Sequence, residues 1–393
     1  MKHIITAVAF SFAAATTVSA QNESYEQMGG VYYAYHYESG ADNTPAPQGY
    51  KVFYISHYGR HGSRWLPSED RYTNMWKVFA DSTRLTPLGR DVRRRLQLIC
   101  ADAQGRAGDL TALGAQQQRE IAERMARRWP SVFAHDGAKV EARSSTVGRC
   151  AASMTAFLLK LQSMQPELDI TATTHSRYMP WIAYASPEQK AYEASVPRDI
   201  KVSPRRLMAS LFLQPDSVPH ALDLLSELHC IASDMQDACI GISLYDIFTP
   251  EEMRAVYDAS NLNMYTCNGE NATSTGIPER SAISLWQNFC DEADSAIAHG
   301  LPAATLRFGH DTSLYRLLTL MGLLTSERHM DRIVPMGANL FMAFYRNSAG
   351  HILVKVLHNE HELTLSIAST TAPYYDWNEV KKYMQQRILK VKK

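Results

Sequence analysis

Three times along the chain a short apolar run, rich in β-branched or aromatic residues, ends in polar or basic residues and gives way to a helical repeat. The first run, residues 52–56, delivers Tyr58 to Arg64, and helical spacing then runs from Asp70 through Met75, Trp76 and Phe79. The second, residues 139–143, is followed by Ser144, Ser145 and Thr146 as cap candidates. Apolar positions at Val147, Ala151, Met154, Phe157, Leu158 and Leu161 come next. The third, residues 303–308, ends at Gly309, His310, Asp311 and Thr312, with Leu314, Leu317, Leu318 and Met321 following at helical spacing. Period-two or continuous apolar runs mark strands, and recurrence every three to four residues marks helices. Strand followed by helix, repeated, predicts an α/β fold with a mostly parallel central sheet and helices on both faces. Residues 340–345 and 352–357, joined through 346–350, predict an antiparallel hairpin added to that sheet.

Between residues 165 and 299 the strand signal fades. Helical spacing dominates there, as at Ala221, Leu222, Leu224, Leu225 and Leu228, and at Ala282, Leu285, Trp286 and Phe289. This predicts a mainly α-helical cap inserted into an α/β core made of residues 21–164 and 300–393. Residues 268–276, rich in Asn, Gly, Ser and Thr, read as an exposed loop within it.

The first 20 residues change the expected location. A short basic start, an apolar run from Ile4 to Ala15 and the small residues Val18, Ser19 and Ala20 make a secretory signal, so a secreted or periplasmic chain starting near Gln21 is expected. The apolar run is too short for a membrane span, which needs about 20 residues. The 393 residues balance 40 acidic against 40 basic side chains, so neither a nucleic-acid partner nor an anionic membrane surface is expected, and the oligomeric state stays open. The 14 histidines shift that balance toward positive charge in acid, which favours anionic ligands. Six cysteines with no C-x-x-C pair, in an exported chain, suggest disulfides, with Cys230–Cys239 and Cys267–Cys290 as the expected pairs.

The strand ends carry the candidate chemistry, because ligands of open α/β sheets bind at the carboxyl ends of the strands. Arg60, His61 and Arg64 follow the first strand, with Gly62 between them permitting close backbone approach. Two guanidiniums around an imidazole are costly to desolvate unless an anion completes them, and the planar guanidinium fork matches phosphoryl oxygens. The same charges keep His61 neutral and therefore nucleophilic. Arg143 and His310, at the ends of the other strands, supply further donors. Asp311 is the carboxyl placed to protonate a departing alkoxide and then to activate water. His57 is read as a sheet-end histidine without a catalytic role, whether or not it faces the pocket. The His358-Asn359-Glu360-His361-Glu362 run is read as non-metal, because continued strand geometry would send His358 and His361 to opposite faces. Serine-hydrolase elbow, phosphate-loop and zinc-helix motifs do not occur.

These residues resemble the histidine acid phosphatases, whose pattern is R-H-G-x-R near the start and H-D or H-A-E near the end. Residues 110–118 (Leu-Thr-Ala-Leu-Gly-Ala-Gln-Gln-Gln), Arg143-Ser144-Ser145 and Arg149-Cys150-Ala151-Ala152-Ser153 are similar to the same family. The resemblance spans about residues 50–160 and 300–360. It implies a phosphohistidine intermediate on His61, phosphate held by Arg60, Arg64, Arg143 and His310, and Asp311 as general acid. No metal or organic cofactor is implied. Residues 54–59, 334–339 and 354–360 look like the multiple inositol polyphosphate phosphatase and phytase branch, which implies inositol polyphosphates such as phytate as substrates. That branch usually carries H-A-E, whereas His310-Asp311-Thr312 places the acid one residue earlier and one methylene shorter. The departure bears on substrate preference, and it keeps a broad-specificity acid phosphatase for sugar phosphates or nucleotides as the alternative. A phosphoglycerate-mutase-like phosphotransferase is opposed by the signal, and a non-catalytic phosphate-binding protein would have no use for His61 and Asp311.

Overall fold

The computed structural model describes residues 23–37, 43–324 and 334–392. The signal expected over residues 1–20 lies outside them. In chain order, β1 (Lys51–Arg60) leads to α1 (Glu69–Val78), α2 (Pro87–Ala103), α3 (Ala112–Arg128) and α4 (Pro130–Phe133). Then come β2 (Lys139–Ser144), α5 (Gly148–Met164), β3 (Asp169–Thr174), α6 (Met179–Ile182), α7 (Pro187–Ser195) and α8 (Arg205–Leu211). The longest helices follow, α9 (Ala221–Ala238), α10 (Pro250–Asn268) and α11 (Ile277–His299), before β4 (Ala304–Gly309) and α12 (Asp311–Leu320). The chain closes with β5 (Asn339–Arg346), β6 (Ile352–His358), β7 (His361–Glu362), β8 (Tyr374–Asp376) and α13 (Trp377–Val391).

The sheet runs β3-β2-β4-β1-β5-β6-β7, with β8 also on β6. Its first four strands are parallel, and β5 joins β1 antiparallel. The α/β fold and the β5–β6 hairpin therefore match the expectation, and β7 and β8 extend the antiparallel half. The period-two pleat sorts side chains into two cores. Tyr54, Tyr58, Met342 and Phe344 meet α11, α12 and α13 on one face. Ile55, Val140, Leu306 and Phe308 meet α3 and α5 on the other.

A third apolar cluster lies off the sheet, joining α1 and α2 to α8, α9 and α10. Two differences from the expected insertion over 165–299 follow. Its first element, β3, is an edge strand of the sheet, polar and half-exposed, which is why the apolar pattern hides it. Its last, α11, covers the sheet through Ala282, Leu285, Phe289 and Ala293. The helical body away from the sheet instead pairs residues 65–103 with 205–257.

The expected disulfides are corrected, since all six cysteines are free thiols. Cys230 lies mid-way along α9 and Cys239 caps its end, separated by about 13 Å of helix rise, where a disulfide tolerates at most about 7 Å between Cα atoms. Cys267 is buried in the last turn of α10, and Cys290 packs into the core beneath α11. The loop expected over 268–276 forms, but Asn268 and Ser274 are buried, and Asn271 turns its side chain back onto the loop. His358 and His361 are also corrected. The chain turns at Asn359 and Glu360, both with positive φ, so the two histidines are cross-strand partners on one face.

Candidate active site

The motif after β1 sits in a bracket made by two helices. Thr111 caps α3, accepting from Gly114 N at 3.1 Å, and its own N–H donates to Ser63 O at 2.9 Å. From the same helix Gln117 Oε1 accepts from Ser63 N at 2.9 Å, and Gln118 Nε2 donates to Arg60 O at 3.1 Å. Ser153 Oγ of α5 accepts from Gly62 N at 3.1 Å. The loop and α3 touch backbone to backbone: a Cβ on Gly62 would stand 2.3 Å from Gly114 O, and one on Gly114 would stand 2.2 Å from Ser63 O. Only glycine at both positions allows that approach.

His61 is 2% exposed at the centre of the site. Its Nδ1 lies 2.9 Å from the carbonyl oxygen of Gly62. A carbonyl can only accept, so Nδ1 carries the proton and the Nε2 lone pair is left for bond formation. Burial first, then the charges of Arg60, Arg149 and Arg64, hold the imidazole well below its usual pKa, and it stays neutral.

Arg60 is fixed by Val31 O and Val334 O, at 2.7 and 2.6 Å from Nη1. Its Nη2 lies 2.9 Å from Asp311 Oδ2. Arg64 stands over the Tyr32 ring and pairs with Asp234 of α9. Arg149, in the first turn of α5, completes a set of three guanidiniums. In each of the three, Nε is buried with no hydrogen-bond partner among the described residues. Buried donors are rarely left unused, so this triplet has donor capacity for an anion beside His61.

His310 caps α12, with its ring centroid 5.8 Å from that of His61 and Nε2 3.1 Å from Ser145 Oγ. Burial pushes its pKa down to about 4. Tyr58 OH accepts from His310 N at 3.0 Å and donates to Ile182 O at 2.8 Å, which pins the end of β4 to β1. Asp311 opens α12, where the helix dipole favours a carboxylate. Burial raises its pKa, but Arg60 and His310 outweigh that and keep it below the ordinary range.

The structure brings together Arg60, His61, Arg64, His310 and Asp311. It does not bring Arg143 to them. Arg143 shares its sheet face with Glu141, two residues earlier, and is held by Glu141 and by Glu292 of α11, each at 2.7 Å. The strand pleat was the overlooked signal, since Val140 and Ala142 face α5 and the residues between them must face α11. Arg149 takes the expected place from a helix start rather than a strand end. Ser144 and Ser145 do not cap α5 either; Val147 is the cap position, and Ser145 is turned to His310. His57 is buried among Phe157, Phe308 and Phe341, away from the site. Asp234 and Asp237 of α9, beneath the motif, were also missed. Their signal was two acids on a helix otherwise buried by Leu228, Ile231, Ala232 and Met235.

A family model described as "Histidine phosphatase superfamily (branch 2)" matches residues 242–359, a stretch that includes His310 and Asp311. Over that stretch, 118 of its 393 residues, the chain is similar to this superfamily. The chain is similar to human "Multiple inositol polyphosphate phosphatase 1", at 23% identity over 317 residues, 68% of this chain. That alignment spans 64% of the human protein, less than two thirds of its length. Among solved structures it resembles the Bifidobacterium longum multiple inositol polyphosphate phosphatase in complex with inositol hexasulfate, with a TM-score of 0.74 and 18% identity. That match covers 90% of this chain and 97% of the other. The D. castellii phytase gives a TM-score of 0.66 at 14% identity, covering 97% of this chain and 90% of the other. These likenesses show the fold. Among the described residues no helix is long and apolar enough to cross a membrane, and no group of three or more His, Cys, Asp or Glu converges as metal ligands would.

Proposed function

We propose that the chain is an exported phosphomonoesterase that works through a phosphohistidine on His61 and acts on inositol polyphosphates such as phytate. The observation that carries this reading is the triplet of Arg60, Arg64 and Arg149, each with a buried unused Nε, around a neutral imidazole whose free nitrogen is Nε2. The three arginines and His310 hold the phosphoryl oxygens and stabilise charge on them in the transition state. His61 Nε2 forms a bond to phosphorus while the ester P–O bond breaks, and the proton of Asp311 goes to the leaving alkoxide. Water then attacks phosphorus, gives its proton to Asp311 and displaces His61, releasing inorganic phosphate. A dianion bound beside Asp311 competes for Arg60 and opposes the carboxylate charge, and both effects draw a proton onto Asp311. The inositol polyphosphate assignment draws on the likeness to the human and Bifidobacterium longum enzymes.

Purified His61→Ala is expected to fold, to melt as the unsubstituted protein does, and to lose essentially all hydrolysis of p-nitrophenyl phosphate and phytate. Turnover retained in that variant overturns the mechanism. Phosphate release compared across phytate, sugar phosphates and nucleotides tests the substrate class: a preference for phytate supports the reading, and equal rates favour the broad-specificity alternative.

A further inference from the structure

Beneath the arginines lies a pair of acids that the mechanism does not use. Asp234 and Asp237 are one turn apart on α9, where residues three apart share a face, and both are 0% exposed. Asp234 is fully engaged: Oδ1 lies 3.3 Å from Arg64 Nη1, and Oδ2 accepts from Tyr72 OH at 2.5 Å. Asp237 is half engaged. Its Oδ1 accepts from Ser63 Oγ at 2.5 Å, but Oδ2 is buried with no partner among the described residues. A second ionised carboxylate beside Asp234, with one oxygen undonated and out of water, is the costly arrangement; a proton on that oxygen removes the cost.

We propose that Asp234 and Asp237 are positioning residues that hold one proton between them, Asp234 setting Arg64 and Asp237 setting the His61 loop through Ser63, so that loss of this proton weakens oxyanion binding. Charge balance links that proton to the anion. With the proton in place, Arg60, Arg64 and Arg149 face the carboxylates of Asp311 and Asp234, and the pocket is net positive. Without it, three guanidiniums face three carboxylates and an arriving dianion meets no net attraction. The other groups facing the pair leave that balance unchanged. From α1 these are Arg71, already paired with Glu227, and Tyr72; from the N-terminal segment, Tyr32; from the 245–247 turn, Tyr245; and from α9 itself, Cys230 and Cys239. Burial pushes both carboxyls above the usual range, the Asp234 charge pushes Asp237 further the same way, and Arg64 opposes each shift. In the anion-free pocket His61 and His310 stay neutral and Asp311 ionised; a bound dianion draws a proton onto Asp311 whatever the state of the pair, so the pair is read from the difference between the unsubstituted protein and a variant of the pair.

The proposal rests on the phosphomonoesterase reading, and its test separates the two. Sulfate serves as the probe because its own charge is constant between pH 5 and pH 8. Calorimetric Kd for sulfate is expected to weaken by about tenfold across that range in the unsubstituted protein, as one added charge near the anion would cause. In Asp237→Asn, whose amide mimics the protonated acid and still accepts from Ser63, the Kd is expected to weaken clearly less than in the unsubstituted protein, the remainder being the proton taken up by Asp311. Tyr72→Phe removes a donor from Asp234, holds the proton on the pair more tightly and moves the weakening to higher pH. A flat profile in the unsubstituted protein, or a parallel one in Asp237→Asn, overturns the proposal. If the protein binds no sulfate and hydrolyses no p-nitrophenyl phosphate, the phosphomonoesterase reading itself falls. Hydrolysis with a flat sulfate profile sinks the acid pair alone.

Discussion

At the scale of single residues, orientation decides chemistry. His61 is poised because one of its nitrogens is committed to the Gly62 carbonyl and because burial and three guanidiniums keep it uncharged. Two arginines within seven positions of each other have opposite fates. Arg143 is neutralised by Glu141 and Glu292, and Arg149 stands in the site. Arg149→Ala is expected to lower kcat/KM for p-nitrophenyl phosphate by about 100-fold or more, the scale of one lost transition-state donor. Arg143→Ala is expected to stay within about threefold, since exposed or half-exposed ion pairs contribute little; steady-state kinetics of both variants check this. Asp311→Asn should slow phytate hydrolysis far more than p-nitrophenyl phosphate hydrolysis, because an alkoxide needs the proton and p-nitrophenolate does not. Equal losses on both substrates would remove Asp311 from the role of acid.

At the scale of elements, the site is held by the way α3 begins. The residues 110–118 stretch reads in sequence only as a family-like signature. In the structure Thr111, Gly114, Gln117 and Gln118 each act on the backbone of the His61 loop. Gly114→Ala adds a Cβ that overlaps Ser63 O, and backbone cannot move aside as a side chain can. The expected outcome is a loss of about 1–3 kcal/mol in stability by denaturant unfolding, with a larger fractional loss of kcat than of secondary structure. The strand-end clusters were legible because an apolar run ending in Arg-His-Gly or Gly-His-Asp is a local pattern. The side of the sheet that Arg143 faces was not, since it depends on the covering by α11. β3 was missed for a related reason: an edge strand with half-exposed residues need not be apolar.

At the scale of the molecule, two cores sandwich the sheet and a third builds the helical body over the site from residues far apart in sequence. Buried neutral histidines give the whole a pH dependence. His57 and His229 are held near pKa 3, against an ordinary 6.5, chiefly by burial. A folded-state pKa below the unfolded value gives stability that is present above pH 6.5 and is lost as pH falls toward 3. Each such histidine costs about 2 kcal/mol between pH 7 and pH 5. Asp234 and Asp237, raised by burial, act in the opposite sense and lose their contribution as pH rises from the ordinary carboxyl range through their raised folded-state values. His57→Met, which keeps an apolar volume among the three phenylalanines, is expected to reduce the fall in Tm between pH 7 and pH 5. An unchanged fall would show that His57 is already charged in the fold.

The sequence by itself determined the α/β alternation, the identity of His61, Arg60 and Arg64 as one cluster, and the His310-Asp311 pair at a second strand end. Each of these is encoded within a dozen neighbouring residues, where periodicity and residue type act directly. Only the tertiary structure decided that Arg149 rather than Arg143 completes the arginine set, that six cysteines stay unpaired, and that two acids on α9 lie under the arginines. Those outcomes depend on which surfaces pack together, and a buried charge takes its role from partners that are distant in the chain.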